Sequence, residues 1–142
     1  MNDYGNISLA SVNPNEFVKF NQPFPIFNGD ILPPLLKTLS KKVENIAKNE
    51  ENDFLLTIGG DHSIGSATIS GMLGRYRNLK MIWVDAHADM VDPSHAVRAK
   101  YNYHGMPLSH VSGCFKLNGF DWMNILDPKN IVLIGIRDIE EG

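Results

Sequence analysis

Three short apolar runs, each leading into a turn or a charged cluster, constrain this chain more than any other feature. They are residues 54–58 in "DFLLTIGGDHS", the run "LKMIWVD" that ends at Asp85, and "NIVLIGIRD" that ends at Asp138. Runs this short, with apolar residues at successive positions, read as strands buried on both faces. Between and before them lie helical patterns. Over residues 33–49, Leu35, Leu36, Leu39, Val43, Ile46 and Ala47 fall on one stripe with lysines opposite. Ser63 opens a second helix, "SIGSATISGMLGRY", weakened by its glycines. A shorter helical stretch is expected near "MPLSHVSGC", and residues 1–30, rich in Asn, Pro and Phe, carry no period and read mostly as loop. Helix, strand, helix, strand and a later strand is the order of an α/β protein with a parallel sheet. With 142 residues and 43% apolar composition, the chain has material for one domain with a real core.

In open parallel sheets a ligand sits just beyond the carboxyl ends of the strands. Two polar clusters fall at such ends: Asp61 and His62 after the first run, and Asp85, His87 and Asp89 after the second. In an extended segment, residues two apart share a face. Asp85, His87 and Asp89 are therefore expected to project together, with Ala86 and Ala88 turned away. Two carboxylates and an imidazole converging in a partly buried place repel or strand one another unless a positive charge lies between them. A divalent metal supplies that charge. Imidazole and carboxylate donors without thiolate suit Mn, Fe(II), Co or Zn. A carboxylate shared by two ions about 3.5–4 Å apart is the arrangement that activates a bridging water.

Other residues admit plainer readings. Asp61 and His62, after Gly59 and Gly60, form either a capping turn or a ligand pair. By spacing alone His104, in "YNYHGMP", reads as a surface-loop residue, and His95 and His110, with no visible partners, read as surface or loop histidines. Trp83 and Trp122 read as core. Net charge is −3 with both signs mixed, which gives no footprint for nucleic acid or a membrane surface. Cys114 stands alone and allows no internal disulfide. No secretory signal pattern and no spanning apolar run is seen, so a cytoplasmic protein is expected.

Together "GGDHS" at 59–63, "DAHAD" at 85–89 and "HGMP" at 104–107 resemble the ureohydrolases, the family of arginase and agmatinase. "DYGNI" at 3–7, "GFDWM" at 119–123 and "IGIRDIEEG" at 134–142 resemble its arginase branch. The resemblance implies a three-layer α/β/α fold with a mostly parallel sheet. It implies two Mn2+ ions and hydrolysis of a guanidino substrate, L-arginine to L-ornithine and urea, by metal-bound hydroxide. Carried over by position, His62, Asp85, His87 and Asp89 are metal ligands, Asp85 bridging, with Asp89 also counted among the catalytic residues. His104 is the acid/base histidine. Asn102 and Glu140 are substrate contacts, and trimers or hexamers are the assemblies the family implies.

The chain also departs from the family pattern. Met90 and Val91 stand where an Ile-Asn pair grips the substrate's α-carboxylate, Lys100 and Tyr101 precede Asn102 where Ser-Gly is usual, and Glu140 replaces an Asp. The pattern's first strand and its downstream S-x-D-x-D-x-x-D-P motif are not matched, so the expectation is one partial ureohydrolase domain over 1–142. Two alternatives follow: a catalytically inactive arginase-like protein that binds a partner chain, or a ureohydrolase for another guanidino compound such as agmatine.

Overall fold

The computed structural model describes residues 4–5, 26–49, 54–93 and 102–139. In order these form α1 (Leu32–Asn49), α2 (Ser63–Arg75), β1 (Met81–Val84), α3 (Pro107–Val111) and β2 (Ile131–Ile134). Short 3₁₀ turns lie at Tyr103–Gly105 and Pro128–Asn130. This is an α/β arrangement built on a parallel strand pair, as the order of apolar runs predicts.

α1 starts where Asn28, at φ 57°, turns the chain and its carbonyl accepts from Ile31 and Leu32. Pro33 and Pro34 occupy the first turn, where a missing N–H leaves no bond unmade. Its most buried line runs Leu36, Ser40, Val43 and Ala47, with Leu35, Leu39 and Ile46 on its margins. That line packs on α2, and Gly71 makes the approach possible. A Cβ there would lie 2.5 Å from the Ser40 carbonyl oxygen and 2.8 Å from Val43 Cβ. The glycines that weaken α2 as an isolated helix are thus what let two helices meet backbone to backbone.

α2 is apolar nearly all round because it stands between two core clusters. Ala67 joins Leu36, Tyr103, Met106, Leu117 and Phe120, while Ile69 and Leu73 join Trp83, Leu108, Val111 and Leu126. Trp83 is therefore core, and Trp122 packs at the edge of the first cluster. Ser70 ties α2 to the loop between α3 and β2, its hydroxyl and carbonyl oxygens accepting from the backbone and side-chain nitrogens of Asn124.

β1 and β2 pair in parallel, Met81 opposite Ile131 through to Val84 opposite Ile134. Trp83 faces the helices; Ile82, Val84, Val132 and Ile134 lie on the other face and are exposed. Pairing resumes at His87 opposite Asp138, with one residue more on the second strand. The extra residue is absorbed at Gly135, whose φ of 85° is open to glycine and costly for other residues.

The run at 54–58 departs from expectation. Among the described residues it joins no ladder, and Phe54 (76%) and Ile58 (85%) are exposed. Its exposure still alternates, with Leu55 and Thr57 half-buried. The strand periodicity is present, but a strand also needs a neighbour's hydrogen bonds, which come from tertiary pairing. The stretch near "MPLSHVSGC" becomes a 3₁₀ turn followed by α3, with Pro107 in the first turn of α3. No helix among the described residues is long and apolar enough to cross a membrane.

Candidate metal centre

The two polar clusters meet. α2 begins after Gly59 and Gly60, and the paired residues Asp61 and His62 divide the two readings between them. Asp61 Oδ1 accepts from the Ser63 backbone N–H at 2.9 Å and closes the turn. His62, at the N-cap position, makes no capping bond, and its ring reaches the end of β1 instead. There its Nδ1 lies 2.6 Å from Asp89 Oδ2 and 3.1 Å from Asp85 Oδ2. One donor atom from each of His62, Asp85 and Asp89 falls within 4.8 Å of the others.

β1 delivers Asp85, but an extended chain does not deliver Asp89. The strand ends at Val84, Asp85 and Ala86 bend, and Asp89 adopts φ 48°. Asp tolerates that left-handed conformation better than most residues. The turn brings Asp89 back beside Asp85, and it is held there because the Leu108 and Ser109 backbone N–H groups donate to the Asp89 carbonyl at 3.1 and 3.4 Å.

His87 therefore lies outside the tight group that period-two alternation predicts for it. Its Nδ1 is 3.6 Å from Asp85 Oδ1, and its Nε2 is 3.4 Å from Asp138 Oδ2. The Asp85 carboxyl is held below its ordinary range first by the bond from the His87 backbone N–H, with the nearby His62 charge adding to it. Trp83 sets its ring edge against His62, with centroids 4.9 Å apart, and its indole N–H has no hydrogen-bond partner among the described residues. A Cβ on Gly65 would come within 3.0 Å of the same indole, so a glycine in the first turn of α2 lets Trp83 slide beneath His62.

Beside the cluster is a pocket of about 90 Å³ lined by His87, Ala88, Asp89, Met90, Val91, Gly105, Asp138 and Ile139. His104 is exposed on the 3₁₀ turn that supplies Gly105 to this wall, and Asn102 directly precedes the turn. Glu140, His95 and Lys100 lie outside the described residues. Asp138 is not among the site residues the sequence predicts, although its position at the end of an apolar run carries the same signal that marks Asp85.

His110 contradicts the surface reading of its sequence position. It is 2% exposed, and its Nδ1 lies 2.8 Å from the Tyr103 hydroxyl. Apolar residues three and four positions away on a short helix supply no amphipathic signal for a histidine, so burial here is a tertiary result.

The arginase family model matches residues 1–142. The chain belongs to the arginase family. It is 36% identical to the arginase of Staphylococcus aureus (strain MRSA252) over 147 residues, which cover all of this chain and 45% of that one. It is 39% identical to the arginase of Plasmodium berghei over 118 residues, 80% of this chain and 31% of that one. Among solved structures, the cold-adapted arginase of the psychrophilic yeast Glaciozyma antarctica superposes with a TM-score of 0.69 at 34% identity, over 78% of this chain and 39% of that one. The Entamoeba histolytica arginase in complex with L-ornithine gives 0.68 at 30% identity, over 87% and 42%. The chain thus spans less than half the length of these arginases.

Proposed function

We propose that this arginase-family chain carries part of a metal-dependent centre that hydrolyses a guanidino substrate, L-arginine, to L-ornithine and urea. The observation that supports it is the convergence of His62, Asp85 and Asp89 around a shared position at the end of β1. In that position His62 Nδ1 faces one carboxylate oxygen each of Asp85 and Asp89, and a divalent cation could be held by the same three atoms. The donor set fits Mn2+. His87, already turned toward Asp85 and backed by Asp138, is the fourth ligand. A manganese pair held there would lower the pKa of water toward neutrality and so supply a nucleophile for the guanidinium carbon.

The chain's own residues do the rest. Asp85 and Asp89 supply the negative charge that makes a cation stable there, and the turn at Asp89 sets their spacing. His104, exposed at the pocket rim, donates a proton to the amine nitrogen as the carbon–nitrogen bond breaks. Asn102 and Glu140 hold the amino-acid end of the substrate. A catalytically inactive, partner-binding role is the second reading, favoured by the exposed apolar face of the strand pair. A third reading, a ureohydrolase for another guanidino compound such as agmatine, is permitted by Met90 and Val91, which line the pocket without a polar side-chain group for a carboxylate.

Titrating the chain with Mn2+ and following the free ion by electron paramagnetic resonance tests the centre, with urea release from L-arginine and agmatine read in parallel. Asp89→Asn is expected to weaken manganese binding by about tenfold or more. Equal affinity in the variant and the parent refutes the ligand assignment. Because the chain carries only part of the centre, urea is read from the chain completed with the missing portion of an arginase. Manganese binding without urea from that completed chain supports the partner-binding reading, and equal rates on both compounds count against arginine.

A further inference from the structure

A buried chain of hydrogen bonds joins α3 to α2 beneath the candidate centre. The Ser66 hydroxyl donates to the Ser63 carbonyl at 3.1 Å, which leaves its oxygen to accept. Tyr103 Oη donates to that oxygen at 2.9 Å. With its one proton committed, Tyr103 Oη accepts from His110 Nδ1 at 2.8 Å. This order of donors puts a proton on His110 Nδ1, and burial keeps the ring neutral. Ser66, Tyr103 and His110 are all buried, and the His110 ring lies flat on Phe115 with centroids 4.8 Å apart.

Filling this volume alone does not call for three polar groups. Apolar side chains of the same shape fill such a space without the penalty that a mismatched polar group incurs. What distinguishes the polar chain is what it connects. Ser66 is one turn along α2 from His62. His110 belongs to α3, the helix whose first N–H groups hold the Asp89 carbonyl and whose Ser109 hydroxyl donates to Val91 O at 2.9 Å. The contact between His62 and Asp89 thus spans two bodies, α2 on one side and α3 with its attached loop on the other.

We propose that His110, Tyr103 and Ser66 form a positioning device that locks α3, and with it Asp89, against α2, and so sets the spacing of His62 and Asp89. The three are positioning residues. Their meaning for chemistry rests on the metal-centre reading above, whereas the test of the lock uses no metal.

The test compares amide hydrogen exchange and urea denaturation in two variants and the parent chain. The triple variant Tyr103→Phe, Ser66→Ala, His110→Phe removes every polar group of the relay and leaves none orphaned. Its global stability is expected to match or exceed the parent's, while the Leu108 and Ser109 amides bonded to Asp89 exchange about tenfold faster and α1 amides do not change. Packing alone predicts parental rates at those two amides once stability is matched. Ser66→Ala, which cuts the relay at α2 and keeps every ring, is expected to speed the same amides about threefold relative to α1. Parental rates at Leu108 and Ser109 in either folded variant overturn the proposal. A chain that shows the exchange effect but binds no Mn2+ in the resonance titration keeps the lock and removes the metal reading.

Discussion

The contact at Gly71 is the most exposed point of the packing argument, because it predicts opposite signs for two similar substitutions on one helix. Gly71→Ala places a methyl 2.5 Å from the Ser40 carbonyl oxygen and 2.8 Å from Val43 Cβ. Neither partner is the free end of a side chain, so the relief must come from moving α1 away from α2. Restoring ordinary contact takes somewhat under 1 Å of separation, and a gap of that order forfeits about a quarter to a half of the dispersion attraction across the interface. Overpacking of this kind costs about 3 kcal/mol, against which alanine's helix propensity returns about 1 kcal/mol. A net loss of about 2 kcal/mol is expected. Gly74→Ala, three residues on, meets the Cγ and carboxyl group of Glu44 at 2.5–2.8 Å, the outer part of a flexible side chain that can rotate toward solvent. The propensity gain should survive there as about 0.5–1 kcal/mol of stabilisation. Urea denaturation of the two variants and the parent, with matched slopes, reads both values. A Gly71→Ala variant as stable as the parent refutes the close approach of α1 and α2. The consequence reaches the candidate site, because α2 carries His62 at its start.

His110 and Gly135 offer further tests. Burial pushes the His110 pKa down to about 4 from an ordinary 6.5. Above pH 6.5 neither folded nor unfolded chain is protonated there. Below it the unfolded chain takes up the proton first, so stability falls as pH drops from about 6.5 toward 4, by about 3 kcal/mol in all. Denaturation measured across that window should show the slope, and His110→Phe should flatten it; an unchanged slope in the variant removes His110 as the cause. Gly135→Ala should lose about 1–2 kcal/mol, since it forces a side chain into a left-handed conformation and sets a methyl 3.2 Å from the Asp85 carbonyl oxygen. A neutral result in the same denaturation experiment would mean that pairing beyond β2 tolerates another path.

Local chemistry made a good part of this protein readable. The stripe of α1, the apolar run of β1 with its terminal Asp85, the run of β2, and the glycine turn before His62 are all set by neighbours in sequence. The period of a helix or a strand is a property of the backbone, and it appears wherever side chains follow it. The motifs "GGDHS", "DAHAD" and "HGMP" carried the family for the same reason: the residues of each lie close together in the chain.

Other features depend on what each element meets. Whether residues 54–58 form a strand depends on a partner's hydrogen bonds, which no apolar run contains in itself. Asp89 joins His62 by leaving the extended path at φ 48°, with α3 holding its carbonyl, and the same turn separates it from His87. His110 is buried because Phe115, Phe120 and Tyr103 close around it from other parts of the chain. Sequence alone specified which groups were available for a cation and roughly where each strand would end. Tertiary structure decided which of them meet, because convergence depends on distances across the fold, and those are set by helix packing and buried hydrogen bonds between residues far apart in the chain.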